Sequence, residues 1–211
     1  QEQVPRHHCR RYQSSCRCSA NGCRGEGKSD VLNNIQTDAW SRRNPYSYNQ
    51  AHMPVREQKE AVGHAVRAVY LYSGMADVAR LTGDETLYES CCRLWENIVK
   101  EKLYITGGIG GTHIGEAFSW PYDLPNDTAY SETCAAIGLV FFARRMLQIR
   151  PESRFADVME QALYNTVLAG KAADGQSFFY VNPLEVVPEA LDRDARLLHV
   201  KAPRQKWFAC A

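Results

Sequence analysis

Apolar residues recur at helical intervals along this chain in four runs, each bounded by polar or turn-forming residues. Val62, Val66, Val69 and Tyr70 mark the first stripe, which closes near Gly83; steps of three and four residues bring such positions onto one helix face. After Asp84, a second face is written by Leu87, Cys91, Leu94, Trp95 and Ile98. The turn Thr82-Gly83-Asp84 is short enough to fold the two back to back, with Asp84 as the N-cap of the second. The pattern recurs in kind: Tyr130 to Gln148 is a strongly apolar helical run, and Pro151 opens another through Phe155, Val158, Leu163 and Val167 to Gly170. Residues 177–187 (SFFYVNPLEVV) have the aromatic and β-branched content of short strands or an extended loop. The expected fold class is all-α, built from helical hairpins with functional loops between them; hairpins set in a ring would enclose a central cleft.

Residues 1–44 break from this texture, being rich in Arg, Ser, Asn, Gln and Gly and without a sustained period. A poorly ordered leader is expected there. Its cysteines, Cys9, Cys16, Cys18 and Cys23, could bind a metal but lack the paired C-x2-C knuckles of a zinc ribbon. The other four, Cys91, Cys92, Cys134 and Cys210, are scattered, which argues against a single disulfide framework. Twenty-five Lys and Arg balance 24 Asp and Glu to a net charge of +1, so no global field steers the chain to nucleic acid or an anionic membrane. The longest apolar stretch, Ile137 to Ala143, is far below the roughly 20 residues of a membrane-spanning helix. The N-terminus has no apolar h-region, so a cytoplasmic address is the default expectation.

Between the hairpins lies a segment too long for an ordinary connector, TGGIGGTHIGEAFSWPYDLPNDTAYSETCA over residues 106–135. Its glycines free the backbone, and Glu116 emerges from them near Phe118 and Trp120. A carboxylate beside aromatic surface is placed to act as a general acid, although a surface loop acid fits the same pattern. The GGIGG run lacks the lysine and the strand-to-helix setting of a phosphate loop. Glu132 and Cys134 stand two apart in S-E-T-C. They could be two donors of a zinc site, or a helix cap and a small buried side chain.

The run Tyr48 to Ala79 (YNQAHMPVREQKEAVGHAVRAVYLYSGMADVA), followed in order by ITGGIGGTHIGEAF, DLPNDTAYSETCAAIGLVFFARRM and FFYVNPLE, closely resembles glycoside hydrolase family 127, whose characterised members are β-L-arabinofuranosidases. The resemblance covers residues from about 45 to 211 and implies the later part of an (α/α)6 barrel, with the long Gly-rich loop in its active site. It implies retaining hydrolysis of a β-L-arabinofuranoside-containing oligosaccharide or glycoconjugate by a cysteine nucleophile and a glutamate acid/base beside zinc. By motif, Glu116 corresponds to the acid/base, Glu132 and Cys134 to two zinc ligands, and His64 and Tyr180 to residues lining the sugar pocket. Without the match, His64 reads as an ordinary helix histidine and Tyr180 as a buried aromatic. His52 and Arg56 are lesser candidates for bracing that pocket.

The chain departs from the family pattern at its end. There an aromatic stretch like Trp207-Phe208 leads within a few residues to Cys-Cys-Pro-Pro, which holds the nucleophile and the remaining zinc ligands, whereas this chain ends W-F-A-C-A. The nucleophile is therefore expected just beyond Ala211, Cys210 is not assigned that role, and the isolated chain is expected to be inactive. Two other readings stand beside this one: a metal-independent α/α-toroid sugar enzyme (lyase, epimerase or unsaturated-uronide hydrolase) using Glu116 and His64, and a non-catalytic fragment with a metal-binding leader. A homo-oligomer is left open.

Overall fold

The computed structural model describes residues 45–187, together with the backbone of three short strands nearer the ends. Strands β1 (Cys16–Ser19) and β2 (Gly22–Gly25) pair antiparallel. Apart from them, the leader expected over residues 1–44 lies outside the described residues, as do Trp207, Phe208 and Cys210. The rest is all-α, as the periodicity predicts. A single turn, α1 (Pro45–Tyr48), is followed by two helical hairpins, α2 (Ala65–Thr82) with α3 (Glu85–Asn97) and α4 (Thr133–Ile149) with α5 (Ser153–Ala162). Residues Ser177–Phe178 form β3, which pairs antiparallel with β4 (Gln205–Lys206).

The α2–α3 turn follows from its sequence. Gly83 adopts φ 68°, open to a residue without Cβ, and its N–H reaches Ala79 O. Asp84 then caps α3, its carboxylate accepting from the Leu87 N–H at 2.9 Å. Arg56 is spent on this cap, paired with Asp84, so it braces the start of α3 rather than the pocket for which it was a candidate.

Between the hairpins, α2 lies along α4 and α4 along α5. A Cβ at Gly138 would sit 2.4 Å from Val69 Cγ2, so α2 and α4 approach as closely as a missing side chain allows. The core is an aromatic chain spanning all four long helices. Tyr72 and Phe142 ring centres are 5.7 Å apart, Trp95 and Phe142 5.5 Å, and Trp95 and Phe155 5.1 Å, the tilted and edge-to-face geometry that suits the ring quadrupoles. Two details differ from the sequence reading. Tyr70 is 42% exposed whereas Tyr72 is fully buried, because the buried face of α2 rotates past the edge of its aliphatic stripe. The helices after Asn97 and Ala162 continue as wider π-type turns, Ile98–Lys102 and Leu163–Leu168, which swing Leu163 and Val167 to partly buried positions and bury Thr166.

Candidate active site

The long loop is clamped at several points. Gly107 has φ 83° and a Cβ there would lie 2.5 Å from Ala162 Cα, so the loop leaves α3 pressed against the backbone of α5. Farther along, Thr112 and Ala117 exchange backbone hydrogen bonds of 3.3 and 3.1 Å, closing a tight turn over Ile114–Glu116. Glu116 leaves that turn with φ 51°, a left-handed backbone at a residue that carries a Cβ; such a conformation costs on the order of 1 kcal/mol or more and persists only where its surroundings hold it. The next residue pairs with the entrance to α2: Ala117 bridges His64, and the Phe118 N–H reaches Gly63 O at 2.9 Å. Beneath it, the buried Lys102 ammonium binds Glu60 at 2.7 Å and Ala61 O at 2.8 Å, 5.7 Å from the Phe118 ring centre. Phe118 is thus core, while Trp120 stands 70% exposed.

These constraints bring Glu116 to His64. The Nε2 of His64 lies 2.9 Å from Glu116 Oε2, with side chains only 8% and 15% exposed. On the other side of the ring, Nδ1 accepts from the Arg67 N–H at 3.4 Å, so the neutral imidazole carries its proton on Nε2 and donates to Glu116. Tyr48 meets the His64 ring edge-on at 5.9 Å. The second oxygen of Glu116 accepts from the Tyr130 hydroxyl at 2.7 Å. Tyr130 was read from the sequence only as the start of a helix. The signal that could have found it is its place two residues before Glu132, on the same approach to α4.

A second carboxylate lies close by. Glu132 is 4% exposed, and its pKa is pushed up to about 7, first by burial and then by the charge of Glu116. The Tyr180 hydroxyl hydrogen-bonds to it and opposes that rise. Burial and the neighbouring carboxylates push the Tyr130 and Tyr180 hydroxyls above the ordinary tyrosine range, so both remain donors. Their rings pack edge-on at 6.0 Å. The segment carrying Tyr180 is registered on the start of α4 by paired bonds: Thr133 N–H to Tyr180 O at 2.9 Å, Thr133 Oγ1 to Phe179 O at 2.6 Å, and Asn182 Nδ2 to Ser131 O at 2.9 Å. Ser131, between Tyr130 and Glu132, has φ 37°, like Glu116 a non-glycine residue with positive φ.

Glu116, His64, Glu132 and Tyr180, named from sequence, thus share one buried polar cluster with Tyr130, although they come from the loop, from the entrances to α2 and α4, and from residues 179–182. Cys134 is buried on the first turn of α4, one residue beyond the clasp at Thr133, and is disulfide-bonded. His52 has a buried Nδ1 without a partner. Beside the loop opens a cavity of about 620 Å³ whose walls include Glu60, Thr112, Ile114, Ala117 and Trp120 but not Glu116, His64, Tyr130, Glu132 or Tyr180; its volume is in the range of ligand pockets.

As for a metal, no group of three or more His, Cys, Asp or Glu side chains is gathered to hold one among the described residues. Two donors of the right kind are nevertheless adjacent. Glu132 Oε2 is buried without a hydrogen-bond partner, as a ligand oxygen would be in the absence of its ion, and Cys134 would add a sulfur once reduced.

Helical hairpins joined by a long loop that delivers a carboxylate to a buried polar cluster define an all-α domain with a candidate acid/base site. The chain belongs to the family of the β-L-arabinofuranosidase GH127 catalytic domain, whose sequence model matches residues 31–211. It is 49% identical over 165 residues to a non-reducing end β-L-arabinofuranosidase of Bifidobacterium longum subsp. longum, an alignment covering 78% of this chain and 25% of that protein. A crystal structure of a GH127 β-L-arabinofuranosidase from Geobacillus stearothermophilus T6 superposes with TM-score 0.76 at 53% identity, over 87% of this chain and 28% of that one. A GH127 β-arabinofuranosidase matches at TM-score 0.70 and 46% identity, over 88% and 28%. The chain therefore spans about a quarter of the length of these relatives.

Proposed function

We propose that this chain supplies the acid/base and part of the metal site of a retaining, zinc-dependent β-L-arabinofuranosidase. The observation that carries the reading is the carboxylate of Glu116, held in a strained turn between His64 and Tyr130 and set against a second buried carboxylate, Glu132. The identity to β-L-arabinofuranosidases supports the substrate class, an arabinofuranoside-containing glycan. Glu116 as acid gives its proton to the glycosidic oxygen while that oxygen's bond to the anomeric carbon breaks; a thiolate takes the carbon. Water then attacks the same carbon, Glu116 takes the water proton, and the sulfur leaves as thiolate. By family likeness that sulfur belongs to a Cys-Cys-Pro-Pro segment following the W-F-A-C-A run. Zinc, when bound, would hold sulfur as thiolate at neutral pH. Glu132 and reduced Cys134 are the described residues that would hold the ion, and His64 and Tyr180 would line the sugar.

The test is release of L-arabinose from chromogenic β-L-arabinofuranosides, with zinc measured in the same samples. The 211-residue chain is expected to show no appreciable turnover and a version extended through the adjacent cysteines to be active. In the extended version, Glu116→Gln should lower kcat by about 10²–10⁴-fold for poor leaving groups and much less for good ones. Equal loss for both, or zinc-dependent turnover by the 211-residue chain, would contradict the assignment.

A further inference from the structure

We propose that Tyr130 is a positioning residue for Glu116, fixing the plane of its carboxylate together with His64. The inference rests on the reading of Glu116 as the acid/base. A glutamate on a loop turn can rotate about its terminal bonds, and a rotating carboxyl presents its proton in no fixed direction. Here each oxygen is taken by a different donor on a different element: Oε1 by the Tyr130 hydroxyl at 2.7 Å, Oε2 by His64 Nε2 at 2.9 Å. With each oxygen accepting from a donor on a different element, the carboxylate plane is fixed.

Tyr130 is itself buried, at 4% exposure. Its ring packs edge-on against Tyr180 at 6.0 Å, and its carbonyl accepts the Asn182 N–H at 3.3 Å. The next N–H, of Ser131, binds Gly110 O at 2.8 Å, tying the start of α4 back to the loop that carries Glu116. The hydroxyl is therefore delivered to Oε1 by backbone contacts from two directions. A donor to a carboxylate favours its charged form, so losing it must raise the proton affinity of Glu116.

The experiment follows the Glu116 carboxyl by ¹³C NMR in the 211-residue chain labelled at glutamate, the resonance being assigned by its disappearance in Glu116→Gln. Tyr130→Phe, which keeps the ring, should move the Glu116 titration upward by about one pH unit. Tyr104→Phe, which removes another buried tyrosine hydroxyl, one that donates to Pro125 O, should leave it in place. With Glu132→Gln removing the other carboxylate that acts on Tyr130, the Tyr130 ¹³Cζ resonance should step at the same pH as Glu116, which tests the bond even if the Tyr130 variant does not fold. An unmoved titration in folded Tyr130→Phe, an equal rise in Tyr104→Phe, or a Tyr130 resonance blind to Glu116 would overturn the proposal. None of these readings requires turnover, so they fail separately from the acid/base assignment, which falls on leaving-group dependence.

Discussion

Glu132 carries its environment in its proton affinity. Its pKa rises from the ordinary 4.5 to about 7, chiefly through burial and secondly through Glu116. The folded chain therefore binds more protons than the unfolded one between those two values. Stability must fall as pH rises through that window, with the loss complete above about 7. A shift of that size corresponds to roughly 3 kcal/mol. In chelator-treated protein, thermal unfolding of the unmodified chain is expected to weaken from pH 5 to pH 8, and Glu132→Gln is expected to remove most of that decline by retaining a neutral side chain. Calorimetry at the two pH values decides; parallel declines in both proteins would place the pH dependence elsewhere. Under the proposed metal role, a cation would restore to Glu132 the favourable contact that its buried Oε2 lacks.

Two glycines in helices make opposite demands on the packing of elements. Gly74 in α2 has open space where a Cβ would stand, whereas at Gly138 in α4 that atom would meet the branched end of fully buried Val69 at 2.4 Å. Gly→Ala gains up to about 1 kcal/mol of helix propensity at either site. At Gly74 nothing opposes the gain, so Gly74→Ala should raise the melting temperature slightly. At Gly138 the two hairpins must move apart, and overpacking of this kind costs about 1–3 kcal/mol. Gly138→Ala should therefore lower the melting temperature by several degrees. A rise in both variants would mean that α2 and α4 do not press together as described.

For the molecule as a whole, the cluster depends on segments far apart in sequence being held in register. Asn182 does this with one amide, donating to Ser131 O at 2.9 Å and Thr133 Oγ1 at 3.0 Å. Asn182→Ala leaves the Ser131 carbonyl without that donor and loosens Tyr180 from Glu132, at a cost of about 1–3 kcal/mol. The expected outcome is a lower melting temperature together with weaker zinc retention in a version extended through the adjacent cysteines, measured by metal analysis after dialysis. Retention equal to the parent protein would show that register at this clasp is immaterial to the proposed metal site.

Several features of this protein were determined by sequence alone, because they depend on near neighbours. The 3.6-residue spacing from Val66 to Ile98 and from Cys134 to Val158 specifies helices. The Gly83-Asp84 pair specifies a turn and a cap through bonds to Ala79 and Leu87. Glu116 stands out because the glycines that lead up to it mark a loop that packing alone would not demand. Tertiary structure decided what local pattern cannot express. Tyr130 and Tyr72 look like other helix aromatics until partners 14 and 70 residues away, Glu116 and Phe142, come into reach. The π-type turns after Asn97 and Ala162 shift the buried face in ways the repeat does not encode. The raised proton affinity of Glu132 exists only because folding removes water and brings a second carboxylate near, and both are long-range consequences of how the two hairpins and their loop close on one another.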